Sequence, residues 1–282
     1  MIRTSRQLKA LVRNMTQGDS TQAQIIIRNY VMERFLERIS LSKYRNNFIL
    51  KGGMLVSAMV GIDIRSTLDI DTTVKNMPLS VETAKEMMEE IISIPLDDGM
   101  TFSVKGISEI IDEAEYSGVR ALLDTKLETM RTPLKVDIST GDIITPREVA
   151  YSFKLMFEER MISVLAYNLE TVLAEKLETV ISRGTVNTRL RDYYDLYILQ
   201  NEYPHVIDME QFQKAILATS ERRNTKLLIQ DGALILQEIR ESQNMQDLWE
   251  KYQRKFTYAE DISWEMVMKA VSSLYGEISP QT

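Results

Sequence analysis

The chain has 282 residues, 44% hydrophobic and 27% charged, with 41 acidic residues against 34 lysines and arginines and a net charge of −7. That is enough for one large domain or two modest ones, and the acidic balance speaks against non-specific nucleic-acid binding, which would need a local basic patch. Cysteine is absent and histidine occurs once, so disulfides, zinc–thiolate sites and cysteine nucleophiles are excluded. Chemistry must then run on carboxylates, Lys, Arg, hydroxyls and a hard cation such as Mg²⁺, which prefers oxygen ligands.

The N-terminus, "MIRTSRQLKALVRNM", is basic and amphipathic, without the apolar core and small-residue cleavage site of a signal peptide. No apolar run approaches the roughly 18–20 residues of a membrane span, so the expected location is cytoplasmic. The first 40 residues read as helix. In "TQAQIIIRNYVMERFLERIS", Ile26, Tyr30, Val31, Phe35 and Ile39 fall near helical spacing, with charges on the other face. "NFILKGG" reads as a short strand ending at Gly52 and Gly53, and "MLVSAMVG" as a short buried helix. "TLDIDTTVK" alternates, with Leu68, Ile70 and Thr72 on one side and Asp69, Asp71 and Thr73 on the other, as a strand does. "PLSVETAKEMMEEIISIP" is a helix with Ser80 as N-cap. "MTFSVKGISEI", "SGVRALLDT", "LKVDIST" and "YSFKLMF" are strands. The texture changes after Asn168. "NLETVLAEKLETVISRG" is a helix stopped by Gly184, and helical patterns continue through "TRLRDYYDLYILQ" to the end. The expected layout is an N-terminal helical lead (1–44), an α+β core with a mixed sheet (45–167) and a helical C-terminal domain (168–282).

On a strand, residues i and i+2 share a face, so the Asp69 and Asp71 carboxylates point the same way with Cα atoms about 6–7 Å apart. Two like charges there are relieved by a cation. Taken alone, the pair is better explained by a solvent-facing strand with its charges outward. The upstream glycines tip the reading, because Gly52 and Gly53 let the backbone approach a phosphate and open a helix toward it. Asp137, in "LKVDIST", is a third strand carboxylate. Three strand aspartates and a glycine turn suit a two-metal site for nucleotidyl transfer, with Asp69 and Asp71 bridging the metals and Asp137 completing the second site. The rival reading of Asp137 is a charge at a strand edge.

Lys176 lies on the edge of the stripe formed by Leu169, Val172, Leu173, Leu177 and Val180. It either snorkels to solvent, which spacing alone favours, or reaches a buried anion such as a triphosphate. Asp192 and Asp195 share a helix face, with Arg189 and Arg191 within pairing distance. That is a salt-bridged surface helix, or a site wall where arginines meet phosphate or RNA and Asp192 orients Lys176. "SRGTVNTRLR", with Arg183, Arg189 and Arg191, and "SERRNTK", with Arg222, Arg223 and Lys226, are the two local basic patches, or two solvated loops. Tyr193, Tyr194 and Tyr197 read as helix-packing core, and His205, beside Pro204, as a surface loop residue.

"FILKGGMLV…RSTLDIDTTV", "LKVDIST", "LETVLAEKLETVISRG" and "TRLRDYYDLY", in this order, resemble the AbiEii family of nucleotidyltransferase toxins from bacterial abortive-infection toxin–antitoxin systems, relatives of the MenT toxins. The likeness covers roughly residues 20–200. It implies a DNA polymerase β-like nucleotidyltransferase core with a helical C-terminal domain. It implies a first motif on Gly52, Gly53, Asp69 and Asp71, a second on Asp137 with Lys135, a third on Lys176 and a fourth on Asp192 with Asp195 nearby. It also implies an NTP substrate with Mg²⁺ or Mn²⁺, a role in phage defence, a separate AbiEi-like antitoxin, and transfer of a nucleotide to the 3′ end of tRNA that stops growth. Many polymerase β-like enzymes carry Gly-Ser where this chain has Gly52-Gly53. The hold on phosphate then falls to backbone N–H groups or to Ser66 and Thr67, with Arg189 and Arg191 as further substrate contacts. The alternatives are a nucleotidyltransferase acting on a protein or small molecule, and an inactive NTP-binding interaction module.

Overall fold

The computed structural model describes residues 1–110 and 118–278. Met1–Asp142 with Glu148–Tyr167 form one compact unit, and Ile143–Arg147 with Asn168–Thr282 form the other. The first unit opens with helices α1 (Ser5–Thr16) and α2 (Ser20–Leu41). The expected N-terminal helical lead is thus two helices. Gln17 and Gly18 take positive φ, and the Asp19 side chain caps α2 by accepting from the N–H groups of Thr21 and Gln22.

The charged side of α2 also departs from expectation, because it is buried. Arg34 pairs with Glu33, Glu37 and Glu158, and Arg38 forms a bidentate pair with Asp98, with donor–acceptor distances of 2.7 and 3.0 Å. The partners Asp98 and Glu158 stand far away in sequence, so α2 read by itself looks like a helix with a solvated face. Burial of such charges is tolerated only when they are paired. Replacing Arg38 by methionine would keep the packing on the Phe102 ring, 4.7 Å away, but strip Asp98 of its cation. The expected loss is about 3 kcal/mol in urea unfolding.

The chain continues through β1 (Phe48–Lys51), α3 (Gly52–Val60), β2 (Ile70–Val74) and α4 (Val81–Ile92), the last capped by Ser80 as expected. Strands β3 (Met100–Ile110), β4 (Gly118–Leu127), β5 (Met130–Thr140), β6 (Val149–Lys154) and β7 (Met161–Ala166) follow. Ser117, the expected first residue of β4, lies outside the described residues. The seven strands form one mixed sheet in the order β3-β4-β5-β2-β1-β7-β6. β2 runs parallel to β5 and β1 parallel to β7, while the other neighbours are antiparallel. β7 has no counterpart in the sequence reading, although Ile162, Val164 and Ala166 alternate as buried positions along it.

Alternate side chains of the two central strands point into the core, and Thr73 on the other face of β2 is buried as well. Ile70, Thr72 and Val74 of β2 and Leu134, Val136 and Ile138 of β5 are buried. Asp71 of β2 and Lys135 and Asp137 of β5 therefore share the opposite sheet face, by the two-residue period of a strand.

The second unit is helical among its described residues. It comprises α5 (Leu169–Arg183), α6 (Leu190–Glu202), α7 (Met209–Arg222), α8 (Lys226–Gln230), α9 (Gly232–Glu241), α10 (Gln243–Lys255) and α11 (Trp264–Gly276). Asn168 caps α5, and Gly184 ends it at φ +53°. Tyr193 and Tyr194 are buried. Tyr193 packs 5.5 Å from Trp264 and Tyr194 packs 4.8 Å from Tyr258, so they are core as expected. No described helix is long and apolar enough to cross a membrane.

Candidate active site: a charge row across four strands

The strand register brings the predicted aspartates together. Asp71 of β2 is the lateral partner of Asp137 on parallel β5. On the other side of Asp71, antiparallel β1 offers Lys51, and on the far side of Asp137, antiparallel β4 offers Arg120. Four neighbouring strands thus carry cation, carboxylate, carboxylate, cation in one row. Asp137 is no strand-edge charge, because β5 is an interior strand with β4 and β2 beside it. Asp69 stands one residue before β2 rather than within the strand.

Each carboxylate is held differently. The Arg120 guanidinium donates to both Asp137 oxygens, each at 2.8 Å, the planar fork-to-fork geometry that suits Arg. The Lys135 ammonium lies 2.8 Å from Asp69 Oδ2 and 3.7 Å from Asp137 Oδ2. Asp71 faces the start of α3, where the Gly53 N–H points at its Oδ2 from 3.4 Å. Burial pushes the Asp71 carboxyl above its ordinary range. The negative charges of Asp137 and Asp69 push the same way, while Lys51 and the Gly53 N–H pull it down.

Gly52 is explained by this carboxylate, and Gly53 by the Arg65 and Thr67 side chains. Gly52 has φ +64°, and a Cβ there would lie 2.3 Å from Asp71 Oδ2. A Cβ on Gly53 would lie 2.7 Å from Thr67 Oγ1 and 3.1 Å from an Arg65 nitrogen. Only glycine fits at either position. Ser66 and Thr67 are buried: the Ser66 carbonyl accepts from Arg65, and the Thr67 hydroxyl reaches the Asp69 carbonyl at 3.4 Å.

Behind the row lies a second buried group. Asp142 Oδ2 accepts from Lys51 at 2.5 Å, and from Ser139 and Tyr167 at 2.8 Å each. Burial raises the Asp142 carboxyl, but Lys51 and the two hydroxyls outweigh it and hold it below its ordinary range. Lys51, Arg65, Arg120 and Asp142 are absent from the sequence reading. Arg120 and Lys51 each sit on the same strand face as the aspartates, but which cation meets which carboxylate depends on register, a long-range property.

Three hard carboxylates on one face suit a divalent cation chemically. The two like-charged register partners, one with its carboxyl pushed up by the other, fit that group. Among the described residues, however, no three acidic side chains converge enough to hold a cation as they stand. Both Asp137 oxygens already accept from Arg120, so Asp69 and Asp71 are the better placed ligands.

In the second unit, Lys176 does not snorkel. It is 9% exposed, with its Nζ 2.8 Å from Asp192 Oδ1 and 2.7 Å from Asp195 Oδ2. The two aspartates, three residues apart on α6, turn one face toward α5 and bury the lysine between them. Arg191 lies 5.5 Å from the Phe256 ring centre. Arg223, read as part of a basic patch, bridges Glu175 and Glu178 of α5, while Arg222 and Lys226 stay exposed. His205 is an exposed turn residue, as expected.

A mixed sheet that sets paired carboxylates side by side, next to a glycine-opened helix, defines a protein of nucleotidyltransferase type. The chain belongs to the nucleotidyl transferase AbiEii toxin family of type IV toxin–antitoxin systems, whose sequence model matches residues 34–270. No curated protein matches it significantly. Among solved structures it is similar to a candidate nucleotidyltransferase from H. pylori, with 14% identity, 90% of this chain and 94% of that one covered, and a TM-score of 0.49. It is also similar to JHP933 from Helicobacter pylori, with 13% identity, coverage of 90% and 91%, and a TM-score of 0.48. An antigenic nucleotidyltransferase-like protein from Paracoccidioides brasiliensis follows at 11% identity, coverage of 86% and 93%, and a TM-score of 0.37. The family assignment rests on the sequence match and not on these low-scoring likenesses.

Proposed function

We propose that the chain is a divalent-metal-dependent nucleotidyltransferase that moves a nucleotide from an NTP to the 3′ end of tRNA and so halts translation and growth. The observation that carries the chemistry is the lateral pairing of Asp71 with Asp137 beside the opening of α3. Mg²⁺ or Mn²⁺, when bound, would neutralise the phosphates and the departing pyrophosphate. Asp69 and Asp71 would hold it. Asp137, aimed by Arg120, would take the proton of the attacking hydroxyl, each of its oxygens retaining a lone pair beyond the guanidinium contact. The N–H groups of Gly52 and Gly53, with Ser66 and Thr67 behind them, would contact phosphate.

Family resemblance adds Lys176 as the cation for phosphate charge, Asp192 as the group that holds it, and Arg189 and Arg191 as RNA contacts. A separate AbiEi-like antitoxin belongs to the same reading. The test is to incubate the protein with each labelled NTP, Mg²⁺ and total tRNA. The expected product is end-labelled tRNA with at least one nucleotide. Label on protein or on a small molecule would overturn the tRNA acceptor, and no label on any acceptor would overturn the transferase reading.

A further inference from the structure

Five charged side chains, Arg120, Lys135, Asp137, Asp71 and Asp69, face one side of the sheet around the proposed metal site, and the two cations hold their carboxylates in different ways. Arg120 grips Asp137 through two parallel hydrogen bonds. Lys135 makes one short contact, to Asp69 Oδ2, and a longer one of 3.7 Å to Asp137 Oδ2. Lys135 sits two residues before Asp137 on β5, so both side chains leave the same face, and its ammonium lies across the β5–β2 junction. The two oxygens it spans belong to Asp69, a proposed metal ligand, and Asp137, the proposed base beside it.

We propose that Lys135 is a displaceable internal counter-ion: it neutralises Asp69 and Asp137 in the metal-free protein and is pushed off by the incoming divalent cation, while Arg120 stays. The inference rests on the metal-dependent reading of the site. A lysine ammonium is a point charge on a flexible four-carbon stem, and at 30% exposure it can swing to water at little cost. A guanidinium seated on both oxygens of one carboxylate loses two bonds at once if it leaves. The divalent cation brings one more positive charge than the ammonium it replaces. That surplus meets the Asp71 carboxylate, which Lys135 does not contact.

The arrangement has a consequence that a purely structural lysine would not have. Removing Lys135 removes a competitor, so the site should bind metal more tightly. Keeping the charge but replacing the single contact with a fork should make the competitor harder to displace.

Mn²⁺ binding is measured by calorimetry on the full chain, with Asp71→Asn as the blank that reports binding outside the site. Lys135→Met and Lys135→Gln are expected to bind Mn²⁺ about fivefold more tightly than the wild type, the size of one half-exposed ion pair. Lys135→Arg is expected to bind more weakly than the wild type. Thermal melts should agree, with Lys135→Met gaining more than the wild type from the same Mn²⁺ concentration. Unchanged or weaker binding by Lys135→Met and Lys135→Gln overturns the counter-ion role. Binding by Lys135→Arg equal to or tighter than the wild type overturns displacement in favour of a simple charge effect. A wild type that binds no Mn²⁺ overturns the metal reading itself and this inference with it.

Discussion

Asp71→Asn is expected to make the metal-free protein more stable at pH 7 while abolishing nucleotide transfer. The folded protein holds the Asp71 carboxyl above its unfolded value of 3.8, first by burial and then through the charges of Asp137 and Asp69. A carboxyl raised in this way binds its proton more tightly in the folded state than in the unfolded one. As the pH climbs above 3.8, the unfolded chain releases the proton first and gains relative stability. The folded state carries the full cost once the pH exceeds the folded value. Asparagine has no charge to bury, and its carbonyl can still accept from the Gly53 N–H. The variant is therefore expected to melt above the wild type at pH 7. Melts in a chelator at pH 7 and pH 4 check it: the advantage of Asp71→Asn should shrink at the lower pH. An advantage that does not depend on pH would refute the electrostatic origin. Stability given up at a strained carboxylate pair is what a site built to receive a cation displays.

How much of this was readable from the sequence depends on the range of the interaction involved. The strand carrying Asp71 and the strand carrying Asp137 follow from two-residue alternation, and the helix stop at Gly184 and the helix start at Ser80 follow from capping chemistry. These are local rules acting over four or five residues. The charge row is not local. That Asp137 stands beside Asp71, Lys51 beside Asp71 and Arg120 beside Asp137 depends on which strands pair and in what register. A shift of one residue would send Arg120 to the other face. The same limit hid the charges of α2, whose partners Asp98 and Glu158 are supplied by distant segments.

Lys176 illustrates a third case. Helical spacing placed it correctly at the border of the apolar stripe. Its burial was decided by two carboxylates on the next helix, which spacing within α5 does not reveal.

Lys176→Met is expected to cost about 3 kcal/mol in urea unfolding, because it leaves two carboxylates without their shared cation. Asp195 is fully buried, whereas the Asp192 side chain is 15% exposed, so the cost falls chiefly on Asp195. The folded variant must therefore take up a proton on one of them or expose it. Adding Asp195→Asn to Lys176→Met removes the more deeply buried charge and is expected to restore most of the lost stability. The double variant separates two roles that the single one confounds. If the lysine served only to hold α5 against α6, the refolded double variant would transfer nucleotide at close to the wild-type rate. If Lys176 also neutralises phosphate charge during transfer, as proposed, the double variant folds and stays inactive. A double variant with near wild-type transfer would confine Lys176 to the fold, leaving the carboxylates and Arg120 of the first unit to carry the chemistry.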